Sequence, residues 1–158
     1  MGVKPMSTLF LLGLVIFSWA PCATAQTNDI AVVVNAENPA ANLSLAELRK
    51  ILAGSKRSWP SDLPIKLITR GPGTIEKFAL LRLLAMTEGE YKQYWTAQVF
   101  RGEADAEPLV VPSVGMQKEA LRIFPGAISL LNSQDVKPGM KVIKIDGLLP
   151  GTAGYPIH

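Results

Sequence analysis

An uninterrupted apolar run from Ile30 to Val34 sets the strongest limit on how this chain can fold. The run is mostly β-branched and has no polar alternation, which is typical of a strand buried on both faces. Such a strand needs helices above and below its sheet. The rest of the chain must therefore supply helices that pack on both sides of this run.

Helix and strand patterns alternate after this run. The Ser-x-x-Glu spacing of Ser44 and Glu47 predicts a capping box and a helix that Gly54 ends. A strand over 64–69 leads to a helix from Thr74 to about Met86, which is apolar almost all round and predicted to be buried on more than one side. The remaining predictions are a helix opened by a Thr87–Glu90 capping box, a loop over 101–112, a helix from Ser113 to about Phe124, and strands over 127–131 and 140–145. This order predicts an α/β fold with a mixed, mostly parallel sheet and helices on both faces.

The N-terminus has the pattern of a cleaved export signal over residues 1–25. Lys4 provides the positive start, an apolar core follows, and Ala23-Thr24-Ala25 fits the cleavage site. We expect a periplasmic or secreted protein with one domain over 26–147 and a loose C-terminal tail over 148–158. Lipidation of Cys22 is an alternative that would anchor the chain to a membrane. No later apolar stretch approaches the roughly 20 residues needed to span one.

Composition excludes several classes of function. The formal net charge is +3, Lys4 contributes one of these charges, and no run of five or more Lys and Arg exists, so nucleic acid is not an expected partner. The single histidine, His158, is in the predicted tail, and Cys22 is the single cysteine. Catalytic triads and zinc sites need such residues in the folded domain. We therefore expect no enzyme activity, no metal and no cofactor.

Among the features of the sequence, the turn from Arg70 to Thr74 indicates a specific binding chemistry most clearly. Gly71 and Gly73 let the backbone approach a ligand closely, and the helix start behind them carries unpaired N–H groups and a partial positive charge. The Thr74 hydroxyl and the planar donor fork of Arg70 complete an arrangement suited to an oxyanion. These residues alone are equally compatible with a plain turn that binds no ligand, in which Thr74 only caps the helix.

Other polar and aromatic residues have simpler explanations. Tyr91, Tyr94 and Trp95 could stack on a sugar, but their helical spacing favours a place in the core. Ser113 could add donors to the same site, but capping of its helix is favoured. Glu88 and Glu90 are interpreted as helix-start residues and not as an acid–base pair.

The order of motifs resembles the phosphate-binding-protein-like domain of bacterial ABC uptake systems. The matching pieces are Ala31 to Asn35 with Asn38-Pro39, Leu43 to Leu48 with Ile51 and Gly54, Trp59, Ile65 to Arg70, Gly73-Thr74 with Phe78, and Pro125 to Ile128. The resemblance implies one lobe of a type II periplasmic-binding-protein-like fold, in a short single-lobe form.

The resemblance also implies a function. Family members hold an oxyanion with an arginine and a Ser-Gly-Thr helix start, which Arg70, Gly73 and Thr74 match, whereas Pro72 replaces the serine and the turn is one residue shorter. It implies an exported solute-binding domain for phosphate or a similar oxyanion, with an ABC transporter as a partner. Typical members close two lobes over the ligand, whereas this chain supplies about one, so a second copy of the chain or another protein is also an expected partner. The alternative is an envelope interaction module that keeps the fold without tight ligand binding.

Overall fold

A computed structural model describes Gly2 and residues 28–158. The strands are β1 (Ile30–Val34), β2 (Asn42–Leu43), β3 (Lys66–Arg70), β4 (Leu109–Val111), β5 (Ala127–Asn132) and β6 (Lys141–Ile145). The helices are α1 (Leu45–Leu52), α2 (Ile75–Leu84), α3 (Glu88–Phe100) and α4 (Val114–Ile123), with a short 3-10 helix at Ser133–Asp135. Apart from Gly2, the predicted export signal, including Cys22, lies outside the described residues.

The six strands form one sheet in the order β2-β6-β1-β5-β3-β4. Strand β1 runs antiparallel to both of its neighbours, β5 and β6. The other three neighbouring pairs are parallel. The predicted mixed, mostly parallel sheet is therefore confirmed, and the apolar run of β1 lies inside the sheet with all five residues buried.

Side chains of β1 alternate between two separate cores. Ile30, Val32 and Val34 pack with residues of α1, α2 and α3 on one face of the sheet. Ala31 and Val33 pack with residues of α4 on the other face. Helices thus cover both faces, as the unbroken apolar run requires.

Both predicted capping boxes are present. The Ser44 hydroxyl accepts from the Glu47 N–H at 3.1 Å, and the Glu47 carboxylate accepts from the Ser44 N–H at 3.1 Å. Thr87 and Glu90 make the same reciprocal pair at the start of α3. In each box the backbone N–H bond to the carboxylate holds the pKa of the glutamate below its usual value.

Two short strands differ from the expectations. The predicted loop over 101–112 is wrong at β4, which pairs in parallel with β3 along Ile68 to Arg70. Strand β2 has no counterpart among the predicted strands and pairs in parallel with β6. Strands of two or three residues are too short to show a periodicity, and distant partners along the chain hold them in place.

The C-terminal segment is not loose. Tyr155 and Ile157 are 1% and 2% exposed and join the core of α1, α2 and α3. The Ile30 N–H donates to the Ile157 carbonyl at 3.0 Å, and the Tyr155 hydroxyl donates to the Ile30 carbonyl at 2.7 Å. His158 Nδ1 lies 2.7 Å from the buried carboxylate of Asp29. The expected loose tail is therefore wrong, while the domain boundary at residue 147 stays a prediction.

Helix α2 is also buried differently from the prediction. Ile75 and Phe78 are 47% and 57% exposed, whereas Glu76 and Lys77 are buried against the sheet. The helix packs against both the sheet and α1, as predicted, but the expected burial of Phe78 is wrong, because Glu76 and Lys77 take the inward positions and Phe78 lies on the outer strip with Ile75. This leaves an apolar strip of α2 on the surface beside the turn that precedes it.

Candidate functional site

The parallel pairing of β3 and β4 brings two helix starts to one edge of the sheet. Arg70 is in register with Val111, so the carboxyl ends of the two strands lie side by side. Helix α2 follows β3 after a four-residue turn, and α4 follows β4 with Ser113 as its N-cap. Ligands of open α/β sheets bind at such an edge, next to helix N-termini. The predicted turn is therefore in a favourable place for a ligand.

The turn itself has a defined geometry. Gly73 has a φ of +82°, a backbone conformation that residues with a Cβ rarely adopt. The Thr74 hydroxyl donates to the Gly71 carbonyl at 3.0 Å and accepts from the Lys77 N–H at 3.3 Å. The hydroxyl therefore shapes the turn and caps α2, and it would have to release Gly71 before it could donate to an anion.

The donors that this turn offers are consequently backbone amides. Ile75 and Glu76 occupy the first turn of α2, where no helical carbonyl lies within reach of their N–H groups. The partial positive charge of the helix start favours an anion there, worth about 0.3–1 kcal/mol in an exposed setting. Of the predicted contacts, the backbone of the turn fits this role better than the Thr74 side chain.

The Arg70 side chain points toward the start of α4. Side chains alternate along β3, and Ile68, two residues earlier, belongs to the core under α4. Arg70 Nη2 donates to the Pro112 carbonyl at 3.4 Å. Among the described residues, no hydrogen bond joins the guanidinium to the Gly71–Thr74 turn, so Arg70 and the turn share the edge of the sheet without touching through side-chain bonds.

Two donors of Arg70 are left without partners. Nε and Nη1 are buried, and neither has a hydrogen-bond partner among the described residues. A buried donor without an acceptor costs about 1–3 kcal/mol, and more when the group is charged. An oxyanion that accepted from both nitrogens would remove this cost, because a guanidinium fork matches two oxygens of one acid group.

Three further polar side chains lie beneath the first turns of α2. Thr69 is 4% exposed, and its hydroxyl has no partner among the described residues. Glu76 Oε1 accepts from the Asn132 N–H at 3.4 Å. Lys77 is the third, and all three border one small void between β3 and α2, which Arg70 also borders. A helix start with Arg70 and Lys77 nearby favours an anion, whereas the Glu76 carboxylate opposes it.

Lys77 is the buried cation of this group. Its Nζ lies 3.4 Å from Glu88 Oε1 and 3.8 Å from the centre of the Tyr91 ring. Burial lowers the pKa of Lys77, while the nearby Glu88 carboxylate acts in the opposite direction. Sequence reasoning missed Thr69, Glu76 and Lys77. The available signal was the presence of two adjacent charged residues in the first turn of a mostly apolar helix.

The structural explanations of the other candidates are confirmed. The Ser113 hydroxyl accepts from the Met116 N–H at 3.1 Å and so caps α4. Tyr91 and Trp95 are buried in the core, and the Tyr94 hydroxyl donates to the Ala53 carbonyl at 2.8 Å.

Glu90 completes its capping box, whereas Glu88 pairs with Lys77. Within Gly2 and 28–158, no three His, Cys, Asp or Glu side chains form a group that could hold a metal.

A family model described as PBP superfamily domain matches residues 23–148. The chain belongs to this family. As a PBP superfamily domain, it has the fold that the motif order from Ala31 to Ile128 implies. Over the described residues, no helix is long and apolar enough to cross a membrane.

Solved structures show the same fold for this PBP superfamily domain. An ABC-type phosphate transport receptor from Vibrio cholerae is 25% identical, with a TM-score of 0.62 over 77% of this chain and 48% of the receptor. A candidate phosphate ABC transporter substrate-binding protein with bound phosphate, from Clostridium perfringens, is 19% identical, with a TM-score of 0.61 over 76% of this chain and 46% of that protein. PstS from Borrelia burgdorferi is 19% identical, with a TM-score of 0.57 over 77% of this chain and 49% of the PstS chain.

These matches concern part of each solved protein. The PBP superfamily domain described here covers just under half the length of all three. The receptor from Vibrio cholerae and the protein from Clostridium perfringens are described by transport and substrate binding, not by a catalysed reaction. The likeness supports a solute-binding role of the PBP-like kind.

Proposed function

We propose that this chain is an exported solute-binding domain for phosphate or a similar oxyanion and serves ABC-type phosphate transport. The anion would lie at the edge of β3, held by Arg70, Gly71, Gly73 and the start of α2 at Thr74. The observation that carries the proposal is the pair of buried guanidinium donors, Nε and Nη1 of Arg70, which have no acceptor among the described residues. Two oxygens of a tetrahedral oxyanion would fit this pair.

The surrounding backbone supports the same ligand. The amides of Ile75 and Glu76 face a position where a helix start favours negative charge. Gly71 and Gly73 carry no side chain, and an added Cβ at either would meet nothing within 4 Å, so space remains beside the turn. The bound phosphate of the Clostridium perfringens protein supports phosphate as the first anion to test.

The same relatives support a transport partner for this chain. An ABC transporter is the natural partner of a phosphate transport receptor such as the one from Vibrio cholerae. A site open to water gives weak ionic contacts. We therefore propose that a transporter subunit or a second copy of the chain closes over the anion. Export to the periplasm rests on the signal pattern over residues 1–25.

Anion-dependent melting tests this proposal. Phosphate at about 100 times its Kd should add about 2.7 kcal/mol to the free energy of unfolding. For a domain of this size the melting temperature should rise by several degrees. The measurement compares phosphate, sulfate and molybdate with chloride at matched ionic strength. If none of the three anions shifts the melt up to tens of millimolar, the domain does not bind them.

A second candidate function is an envelope interaction module. Ile75 and Phe78 favour it, since their side chains leave apolar surface open beside the turn. Such a module would form a defined oligomer or a complex whose stability does not depend on any anion. A monomer that binds phosphate at micromolar concentration would exclude this alternative.

A further inference from the structure

The segment from Leu148 to His158, which we call the strap, packs over the start of β1. Its Tyr155 and Ile157 side chains are buried in the core, and the Ile30 N–H donates to the Ile157 carbonyl at 3.0 Å. Within the described part of the chain, the strap contains no helix or strand of its own. Its position therefore depends on such contacts with β1 and on the residue just before it.

A buried carboxylate lies under the strap. The Asp29 side chain is 5% exposed, and two groups of the strap approach its two oxygens. The Gly151 N–H donates to Oδ2 at 2.5 Å, and His158 Nδ1 lies 2.7 Å from Oδ1. A buried charge is costly when its partners are lost. Both ends of the strap are thus tied to one carboxylate that needs them.

The contact between His158 and Asp29 depends on a proton. An imidazolium carries an N–H on both ring nitrogens, whereas the neutral ring carries one N–H and no charge. A charge-assisted hydrogen bond to a carboxylate is about twice as strong as a neutral one. Because the closed strap offers the imidazolium a carboxylate and the open strap offers it water, proton binding favours the closed strap. This stabilisation is complete at low pH and is lost as the pH rises through the range in which histidines titrate, about pH 5–8.

The other ionisable groups beside His158 do not reverse this preference. Arg82 Nη1 donates to the His158 carbonyl at 3.0 Å, so the guanidinium contacts the backbone and not the imidazole. The centre of the Tyr155 ring lies 6.4 Å from the centre of the imidazole. Burial raises the pKa of the Tyr155 hydroxyl, which therefore stays neutral over the same pH range. The charge in direct contact with the imidazole is that of Asp29, and its sign favours the imidazolium.

The strap packs at the edge of the sheet that carries the Arg70 turn. Strand β1 is antiparallel to β5, and β5 is parallel to β3, so the start of β1 lies at the same edge as the ends of β5 and β3. There the Ser133 N–H donates to the Asp29 carbonyl at 3.0 Å, and the Asn132 N–H donates to Glu76 Oε1 at 3.4 Å. Two consecutive residues therefore connect the carboxylate under the strap with the first turn of α2.

We propose that the strap is a pH-sensitive device, which is held most firmly when His158 is protonated and loosens as the pH rises. His158 binds the proton, and Asp29 supplies the fixed opposite charge. Loosening of the strap breaks the bonds that the Ile30 and Gly151 N–H groups make across it, so these two amides report its opening. This inference does not depend on oxyanion binding.

Hydrogen exchange of the Ile30 and Gly151 amides, measured on the full chain at about pH 5.5 and about pH 8, tests this proposal. After correction for intrinsic exchange rates, we expect protection factors at least about fivefold higher at the lower pH, the difference between a charge-assisted and a neutral hydrogen bond. His158→Gln replaces a side chain that is 61% exposed with a donor that carries no charge, so it should fold and lose this pH dependence. Tyr155→Phe is the matched control, because it removes the bond to the Ile30 carbonyl and keeps the imidazole. It should lower protection at both pH values and leave their ratio unchanged.

Titration of the imidazole gives a second measurement that needs no variant. His158 is the single histidine of the sequence, so its ring signals in a nuclear magnetic resonance spectrum have one assignment. We expect the Gly151 amide signal to shift with the same midpoint as the imidazole signals. Equal protection factors at the two pH values, or a pH dependence that survives His158→Gln, would overturn the proposal. A Gly151 amide signal that does not follow the imidazole would also overturn it.

Discussion

Gly126→Ala is expected to lower the free energy of unfolding by at least about 3 kcal/mol. A Cβ at this position would lie 1.8 Å from the Pro64 carbonyl oxygen, which belongs to the backbone and cannot rotate away. The Gly126 carbonyl also accepts from the Trp59 indole at 3.1 Å and from the Lys66 N–H at 3.0 Å. The substitution therefore strains the contact that joins the 55–65 segment to the start of β5.

Chemical denaturation measures this effect, and Gly89→Ala serves as its matched control. Gly89 lies in α3, and an added Cβ there would meet nothing within 4 Å. Alanine is a better helix former than glycine, so this variant should gain up to about 1 kcal/mol. If the Gly126→Ala protein were as stable as the unmodified chain, the backbones of Gly126 and Pro64 would not approach each other this closely.

Arg70→Ala is expected to weaken oxyanion binding by about 30-fold. The loss corresponds to about 2 kcal/mol, which is within the range of hydrogen bonds to a charged group. Because two donors of Arg70 are buried without acceptors, its removal should leave the free protein as stable as before, or more stable. Calorimetric titration with phosphate, together with melting of the free protein, measures both effects.

Arg122→Ala provides the control for charge. Arg122 is exposed on α4 and pairs with Glu119 at 2.5 Å, in an ion pair of the kind that contributes little to stability. The formal charge changes by the same amount as in Arg70→Ala, so a nonspecific effect of net charge would weaken binding equally in both variants. Equal losses would therefore remove Arg70 from the site.

Local signals explain why most elements could be predicted. The capping boxes at Ser44 and Thr87 depend on residues three apart, so the sequence alone contains them. The β1 run has no polar position, which predicts burial on both faces whatever its partner strands are. The mostly parallel sheet followed from strands that alternate with helices.

Long-range contacts explain the errors. Tyr155 and Ile157 are fixed by β1, more than 120 residues earlier, and no local pattern announces that contact. Strand β4 is recognised only by its pairing with β3. Glu76 and Lys77 face inward because α2 lies over the Thr69 side of β3, which composition could not show.

The candidate site also has one part that local sequence predicts and another part that depends on long-range contacts. The turn and its capping threonine are local, so Arg70, Gly71, Gly73 and Thr74 could be picked out from the sequence. The direction of the Arg70 side chain depends on its place at the end of β3 and on Pro112 in the neighbouring strand connection. The sequence predicts that the Thr74 hydroxyl contacts the anion, whereas in the structure it donates to the Gly71 carbonyl and accepts from the Lys77 N–H.

The most direct measurement is a phosphate titration followed by nuclear magnetic resonance of the ¹⁵N-labelled chain. The account predicts saturable shifts of the Gly73, Thr74, Ile75 and Glu76 amides and of the Arg70 Nε–H signal. The matched spectrum with chloride at equal ionic strength should leave these signals in place. Saturable shifts that cluster elsewhere on the domain, or none at the α2 start, would contradict an oxyanion site at this turn.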